Sequence, residues 1–292
     1  MPCQLGIIGL KRLCYALEKS VGRSLTMLIV GERINASRKP IKPAIENKDA
    51  DSIVKEAKDQ VDAGAHFVDV NAGVFVNKEV EYLSWLVETV QAKVDTPLCI
   101  DSPDPKAIEA ALAVHKGQPM INSISLEKKR FEEVLPLIGQ YKAKVVALCM
   151  SDEGMPKTAD ERFDIATELI EKLTKAGVPL DDIYVDALVM AVSTDSSFGV
   201  EFLRAVERIM KSHHGVHTIC GLSNISYGLP LRSQINQIFA VMAMTMGLDA
   251  LIIDPLDRRM MAGILTAETL IGADQYCAGY LKAYRDRRFE GI

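Results

Sequence analysis

The stretch Met27-Leu28-Ile29-Val30-Gly31-Glu32-Arg33-Ile34-Asn35 decides how this sequence is read. A short apolar run rich in branched residues breaks into Glu32, Arg33 and Asn35 without G-x-G-x-x-G spacing, so it does not lead into the phosphate turn of an open doubly wound sheet. The same unit then returns along the chain: an apolar run, a few polar residues, and a longer segment with helical spacing. Strands are predicted at 27–30, 66–70, 97–100, 119–121, 145–148, 183–185, 216–220 and 251–253. Helices are predicted at 51–63, 78–94, 105–114, 159–176 and 201–212, with a further one, apolar almost all round, at 233–246. Eight such units with no linker rich in Pro, Gly or Ser imply an α/β fold, a closed parallel (β/α)8 TIM barrel forming one domain over residues 27–292.

Composition narrows the function. Of 292 residues, 48% are hydrophobic and 25% charged, which is the make-up of a soluble globular protein. The 39 acidic residues outnumber the 34 basic ones, giving a net charge of −5, so nucleic acid is not an expected partner. The longest apolar run, 238–248, is about half the length needed to cross a bilayer. Cys3, Cys14, Cys99, Cys149, Cys220 and Cys277 are scattered with no C-x-x-C pair, which predicts reduced thiols and a cytoplasmic location. Residues 1–26 are interrupted by Lys11, Arg12, Glu18, Lys19 and Arg23 and read as a short amphipathic helix, either an extension or the product of a start upstream of Met27.

In a barrel of this kind, chemistry sits where the strands end. Here those positions are polar almost throughout: Glu32, Arg33 and Asn35; Asp69 and Asn71; Asp101 and Ser102; Asn122 and Ser123; Ser151 and Asp152; Asp186; Ser223 and Asn224; Asp254. Any one Asp or Asn has an ordinary explanation as a helix N-cap. As a set, following apolar runs directly, they favour a ligand. Carboxylates and carboxamides suit a flat heterocycle with an amidine-like edge, such as the 2-amino-4-oxo face of a pterin or guanine, better than a phosphate. Arg33 and Arg232 are the chief cations nearby, available for a substrate carboxylate or for pairing with the acids.

Other chemistries find less support. His66, His115, His213, His214 and His217 fall away from the carboxyl ends of the strands, so a catalytic zinc lacks its usual ligands there, and no bound metal is expected. Lys144 begins a strand and does not finish one, which leaves no Schiff-base lysine at the mouth. Cys99, Cys149 and Cys220 read as core packing, Trp85 as a partly buried outer aromatic, the methionines 242, 244 and 246 as part of an internal helix, and the run 127–130 as a solvated face.

Six strings in order carry a resemblance: Gly31-Glu32-Arg33-Ile34-Asn35, Phe67-Val68-Asp69-Val70-Asn71, Cys99-Ile100-Asp101-Ser102, Met120-Ile121-Asn122-Ser123, Tyr184-Val185-Asp186 and Gly221-Leu222-Ser223-Asn224-Ile225-Ser226. From Met27 to about Tyr284 the chain resembles the pterin-binding methyltransferases that exchange a methyl group between tetrahydrofolate and a corrinoid protein. Those of the acetyl-CoA pathway and of anaerobic O-demethylase systems are both similar, while dihydropteroate synthases and the folate domain of methionine synthase are more distant. The resemblance implies that Asp101, Asn122 and Asp186 bind the pterin edge, with Asp69 and Asn71 beside them. It places Asn224 next to N5, with Gly221, Ser223 and Arg232 as further folate contacts. Asn224 and Asp101 are thereby the expected catalytic residues, and a homodimer is implied by the family alone. One departure lies in the loop after Asn224, where relatives tend to carry Gln and this chain has Tyr227-Gly228.

The implied substrates are tetrahydrofolate and 5-methyltetrahydrofolate. The chain has no D-x-H-x-x-G string, so the corrinoid (a cobalamin) is expected on a partner protein. Two alternatives stay open on sequence: a dihydropteroate synthase-like enzyme, for which the strand end Asp254-Pro255-Leu256-Asp257 lacks the basic residues a pyrophosphate needs, and a non-catalytic folate-binding protein.

Overall fold

An alternation of period two sorts the residues of every strand between two cores. In the computed structural model, which describes residues 26–292, the strands are β1 (Leu28–Asn35), β2 (Phe67–Asn71), β3 (Leu98–Asp101), β4 (Met120–Ile124), β5 (Lys144–Leu148), β6 (Ile183–Asp186), β7 (His217–Ile219) and β8 (Ala250–Ile253). All pair in parallel, in the order β7-β6-β5-β4-β3-β2-β1-β8. The Ile252 amide donates to the Cys220 carbonyl at 2.9 Å and Gly221 bridges to Ile252, which closes the ring into a (β/α)8 barrel. Val30, Phe67, Cys99, Met120, Val146 and Tyr184 fill its interior. Their neighbours in sequence, such as Val68, Ile100, Ile121, Val145 and Val185, point outward beneath the helices.

The outer layer consists of α1 (Ile41–Glu46), α2 (Ala50–Asp62), α3 (Glu79–Gln91), α4 (Pro105–Val114), α5 (Lys128–Tyr141), α6 (Ala159–Lys175), α7 (Phe198–Ser212), α8 (Arg232–Thr245), α9 (Arg258–Leu270) and α10 (Ala278–Arg285). Several starts are written in the sequence. Asp49, Asp104 and Asp257 accept from backbone amides of the first turns of α2, α4 and α9, and Thr158 with Glu161 forms a capping box on α6.

Three expectations need adjustment. Strands β1 to β4 run beyond their predicted ends, so Asn71, Asp101 and Asn122 belong to the sheet, because each pairs with its neighbour: Asn71 with Asp101 and Asp101 with Asn122. The run 127–130 leads into α5, a helix with Pro136 inside it, and Arg130 turns inward. Helix α8 is half internal: Phe239, Ala240, Ala243 and Met244 are buried, but Ile238 and Met242 lie 65% and 45% exposed.

Other expectations match. Trp85 is partly buried against the outer core, and Lys144 begins β5 and pairs with Asp182 at 2.9 Å. His66, His115 and His217 serve the amino ends of the strands: His66 and His115 accept from the Ile29 and Leu98 amides, and His217 stacks on Tyr184 and meets Asp249 at 2.7 Å. The helix expected for residues 1–26 lies, except for Thr26, outside the described residues.

Candidate active site

The inner face of the barrel turns polar at its carboxyl end. Asn35, Asn71, Asp101 and Asn122 are register partners on four adjacent strands, so their side chains share one level of the mouth. Asn71 Nδ2 donates to Asp101 Oδ2 at 2.8 Å, and Asn71 Oδ1 accepts from the Gly73 amide at 2.9 Å. The carboxamide is thereby oriented by one bond and orients Asp101 with the other. The Asn122–Ser123 peptide bond is cis, and the β4–β5 register shifts between Asn122 and Ile124.

Asp69 lies one level deeper, paired with Cys99 and two residues before Asn71. That level is apolar, with Cys99 and Met120 in it, and Asp69 is only 2% exposed. Its carboxyl is pushed well above the usual range, first by burial and then by the charge of Asp101, with hydrogen bonds from Cys99 and Asn122 opposing. Its Oδ2 has no hydrogen-bond partner, a costly condition for a buried oxygen and one that a bound donor would relieve. Asp101 is also raised, chiefly by burial, against the Asn71 hydrogen bond and the nearby charge of Arg130.

Across the mouth, Asp186 ends β6. It accepts from the Leu188 amide at 2.7 Å and from the Gly221 amide, which joins two of the expected residues directly. Burial nevertheless lifts its carboxyl to about 7. Behind it Arg162 of α6 is completely buried, donating to the carbonyls of Ala187 at 2.8 Å and Thr158 at 3.1 Å.

After β7 a 3₁₀ turn, Leu222–Ser226, presents Asn224 exposed at the rim, near Gly221. A side chain on Gly221 would come within 3.6 Å of the Asn224 amide nitrogen. Arg232, the first residue of α8, fixes this turn by donating to the Ser223 carbonyl at 2.7 Å and to Ser226 Oγ at 3.0 Å. Tyr227 is 68% exposed, with the Arg232 guanidinium 5.9 Å from its ring centre, so an aromatic ring occupies the departure from the family pattern.

None of Asp69, Asp101, Asn122, Asp186 and Asn224 caps a helix, which removes the ordinary explanation for strand-end Asp and Asn. Arg33 is spent on acids, bonding Glu56 and meeting Asp254 at 2.7 Å. Glu32, held at about 7 by burial and by Asp254, faces both Asp69 and Arg232 electrostatically. Arg130 and Arg162 were missing from the expected set. Arg162 left a signal: it falls in line with Ala166, Leu169 and Leu173 on the apolar side of α6.

Fold and mouth define a (β/α)8-barrel enzyme. The family model described as pterin binding enzyme matches residues 31–254, from Gly31 of the first strand to Asp254 just after the last, and the chain belongs to that family. It is 36% identical over 261 residues to the methylcorrinoid:tetrahydrofolate methyltransferase of Eubacterium limosum, covering 89% of this chain and 96% of that protein. It is 31% identical over 241 residues to methionine synthase of Mycobacterium tuberculosis (strain ATCC 25618 / H37Rv), covering 78% of this chain and 20% of that longer protein. Among solved structures, dihydropteroate synthase from Xanthomonas albilineans in complex with 7,8-dihydropteroate superposes with a TM-score of 0.68 at 19% identity, over 87% of this chain and 95% of that one, a likeness of fold.

Proposed function

We propose that residues 27–292 form a methyltransferase that moves a methyl group between N5 of tetrahydrofolate and the cobalt of a corrinoid carried by a separate protein. The observation that carries this reading is the likeness to the methylcorrinoid:tetrahydrofolate methyltransferase, which runs through 89% of this chain and 96% of that protein. That relative's name gives the direction from cobalt to folate, and we adopt it here.

The site residues fit a reduced folate. A pterin presents two donors on its 2-amino-4-oxo edge, and Asp101 and Asp186 offer carboxylates while Asn122 offers both a donor and an acceptor. Burial of Asp69 in its apolar level pushes its carboxyl up and favours its neutral form, which eases the repulsion on Asp101. Asn71 and Gly221 set the positions of Asp101 and Asp186, and Arg232, bonded to the Ser223 carbonyl, holds the turn that carries Asn224.

Methyl transfer at N5 is difficult because the nitrogen gains or loses a full bond and changes charge. The Asn224 carboxamide, able to donate or accept, stabilises N5 in either state from the rim of the mouth. In the adopted direction N5 is the nucleophile and gives up its proton to solvent. The corrinoid, when its carrier docks, would supply the methyl group on a metal centre able to leave with the bonding electron pair, chemistry that no side chain of this protein replaces. A dihydropteroate synthase would need a cationic grip for pyrophosphate at the last strand, and there Asp254 is already engaged with Arg33 and Arg38.

Two further parts of the reading have physical support. The exposed apolar side of α7 and α8, with Val200, Ile238 and Met242 around a groove of about 480 Å³, supports a homodimer, which sedimentation of the purified protein tests. Free thiols at Cys99, Cys149, Cys220 and Cys277, and the lack among the described residues of a helix long and apolar enough to span a membrane, support a cytoplasmic enzyme. The functional reading itself is tested by calorimetric titration with tetrahydrofolate: saturable binding is expected, and no heat with either folate form overturns it.

A further inference from the structure

Arg130, on the first turn of α5, reaches inward past the surface run that surrounds it. Its Nε donates to the Ser123 carbonyl at 2.8 Å, Nη1 to the Pro103 carbonyl at 2.9 Å and Nη2 to the Ser102 carbonyl at 2.9 Å. These acceptors belong to the residues that immediately follow Asp101 and Asn122. They are also where the sheet weakens, since β3 ends at Asp101 and the β4–β5 register shifts between Asn122 and Ile124. A direct backbone link between these two strand ends, from the Ser102 amide to the Asn122 carbonyl, is long at 3.3 Å.

We propose that Arg130 is a positioning residue for the pterin site, a three-pronged clamp that fixes the ends of β3 and β4 so that Asp101 and Asn122 meet the pterin edge together. The planar guanidinium suits this task because its donors diverge at fixed angles to three carbonyls, which a lysine ammonium on a flexible stem does not reproduce. Its charge also favours the ionised form of Asp101. Arg130 lines an open cleft of about 510 Å³ together with Asp101, Asn122 and Ser123, so the clamp is accessible to small solutes. The inference rests on the pterin reading of Asp101 and Asn122.

The experiment compares wild type, Arg130→Ala and Arg130→Lys by calorimetric titration with tetrahydrofolate, with a thermal melt of each. Arg130→Ala should bind roughly tenfold more weakly, the scale of losing one charge-assisted hydrogen bond between a displaced Asp101 and the ligand. Millimolar guanidinium, far below denaturing levels, should enter the vacated cleft and recover part of that affinity, while the same ionic strength of sodium chloride should not. Arg130→Lys should remain weak. Affinity unchanged in Arg130→Ala, or no recovery with guanidinium, overturns the clamp. If Arg130→Ala does not fold, Arg130→Lys decides: weakened binding by a folded protein supports the clamp, and wild-type affinity overturns it. Failure of wild type to bind tetrahydrofolate would strike the functional reading, a separate result.

Discussion

Asn71 Nδ2 stands 2.8 Å from Asp101 Oδ2, and the two residues are register partners on β2 and β3. A neighbouring strand thus supplies the donor that directs one oxygen of the central carboxylate, leaving its other oxygen for a ligand. Replacing Asn71 by Ala should weaken tetrahydrofolate binding by about tenfold, the worth of one charge-assisted hydrogen bond, with little change in turnover at saturation. Titration and steady-state rates measured on the same preparation check this. A fall in turnover with unchanged affinity would assign Asn71 to the chemistry instead.

Binding should depend on pH through Asp186. Burial raises this carboxyl from its ordinary 3.8 to about 7 in the free protein, so near neutrality it is partly protonated. On the proposed reading the pterin edge donates hydrogen bonds to the ionised form, so affinity should rise with pH up to about 7 and level off above, with proton release on binding. The stability sign is opposite. Because the folded state holds this proton more tightly than the unfolded chain, the ligand-free protein should lose stability as pH climbs between about 4 and about 7. Calorimetry in buffers of different ionisation enthalpy measures the released proton, and Asp186→Asn should lessen both dependences, the raised Glu32, Asp69 and Asp101 carrying what is left.

Asn224 lies exposed at the rim, whereas Asp69 and Asp186 are buried, so on the proposed reading its loss should separate chemistry from binding. Asn224→Ala should cut the rate of methyl transfer by about a hundredfold, the scale of losing one hydrogen-bonding group aimed at a developing charge, while affinity falls much less. Equal losses in rate and affinity would make Asn224 a binding residue only.

The barrel was legible because its information is local: each strand alternates and each helix repeats, and Asp101, Asn122 and Asp186 stand where apolar runs end. What the chain does not spell out is register. That Asp69 shares a level with Cys99 while Asn71 shares one with Asp101 depends on how β2 slides against β3, and this decides which carboxyl is buried in apolar surroundings. Arg130 was hidden for a local reason, since Pro136 interrupts the pattern that would mark α5 as a helix with an inward face. The two-sidedness of α8 was hidden because a segment apolar all round gives no phase, so Ile238 and Met242 cannot be told from Phe239 and Met244.

Methyl transfer itself provides the most direct test. Purified protein is mixed with a methylated corrinoid protein from an anaerobic demethylase or acetyl-CoA system and tetrahydrofolate, and the visible absorption of the cobalt is followed. The account requires the methylcobalt spectrum to decay with stoichiometric formation of 5-methyltetrahydrofolate, only when both enzyme and folate are present. A methylcobalt spectrum that persists for every partner, although tetrahydrofolate binds tightly, would contradict it and leave a folate-binding barrel without the transfer.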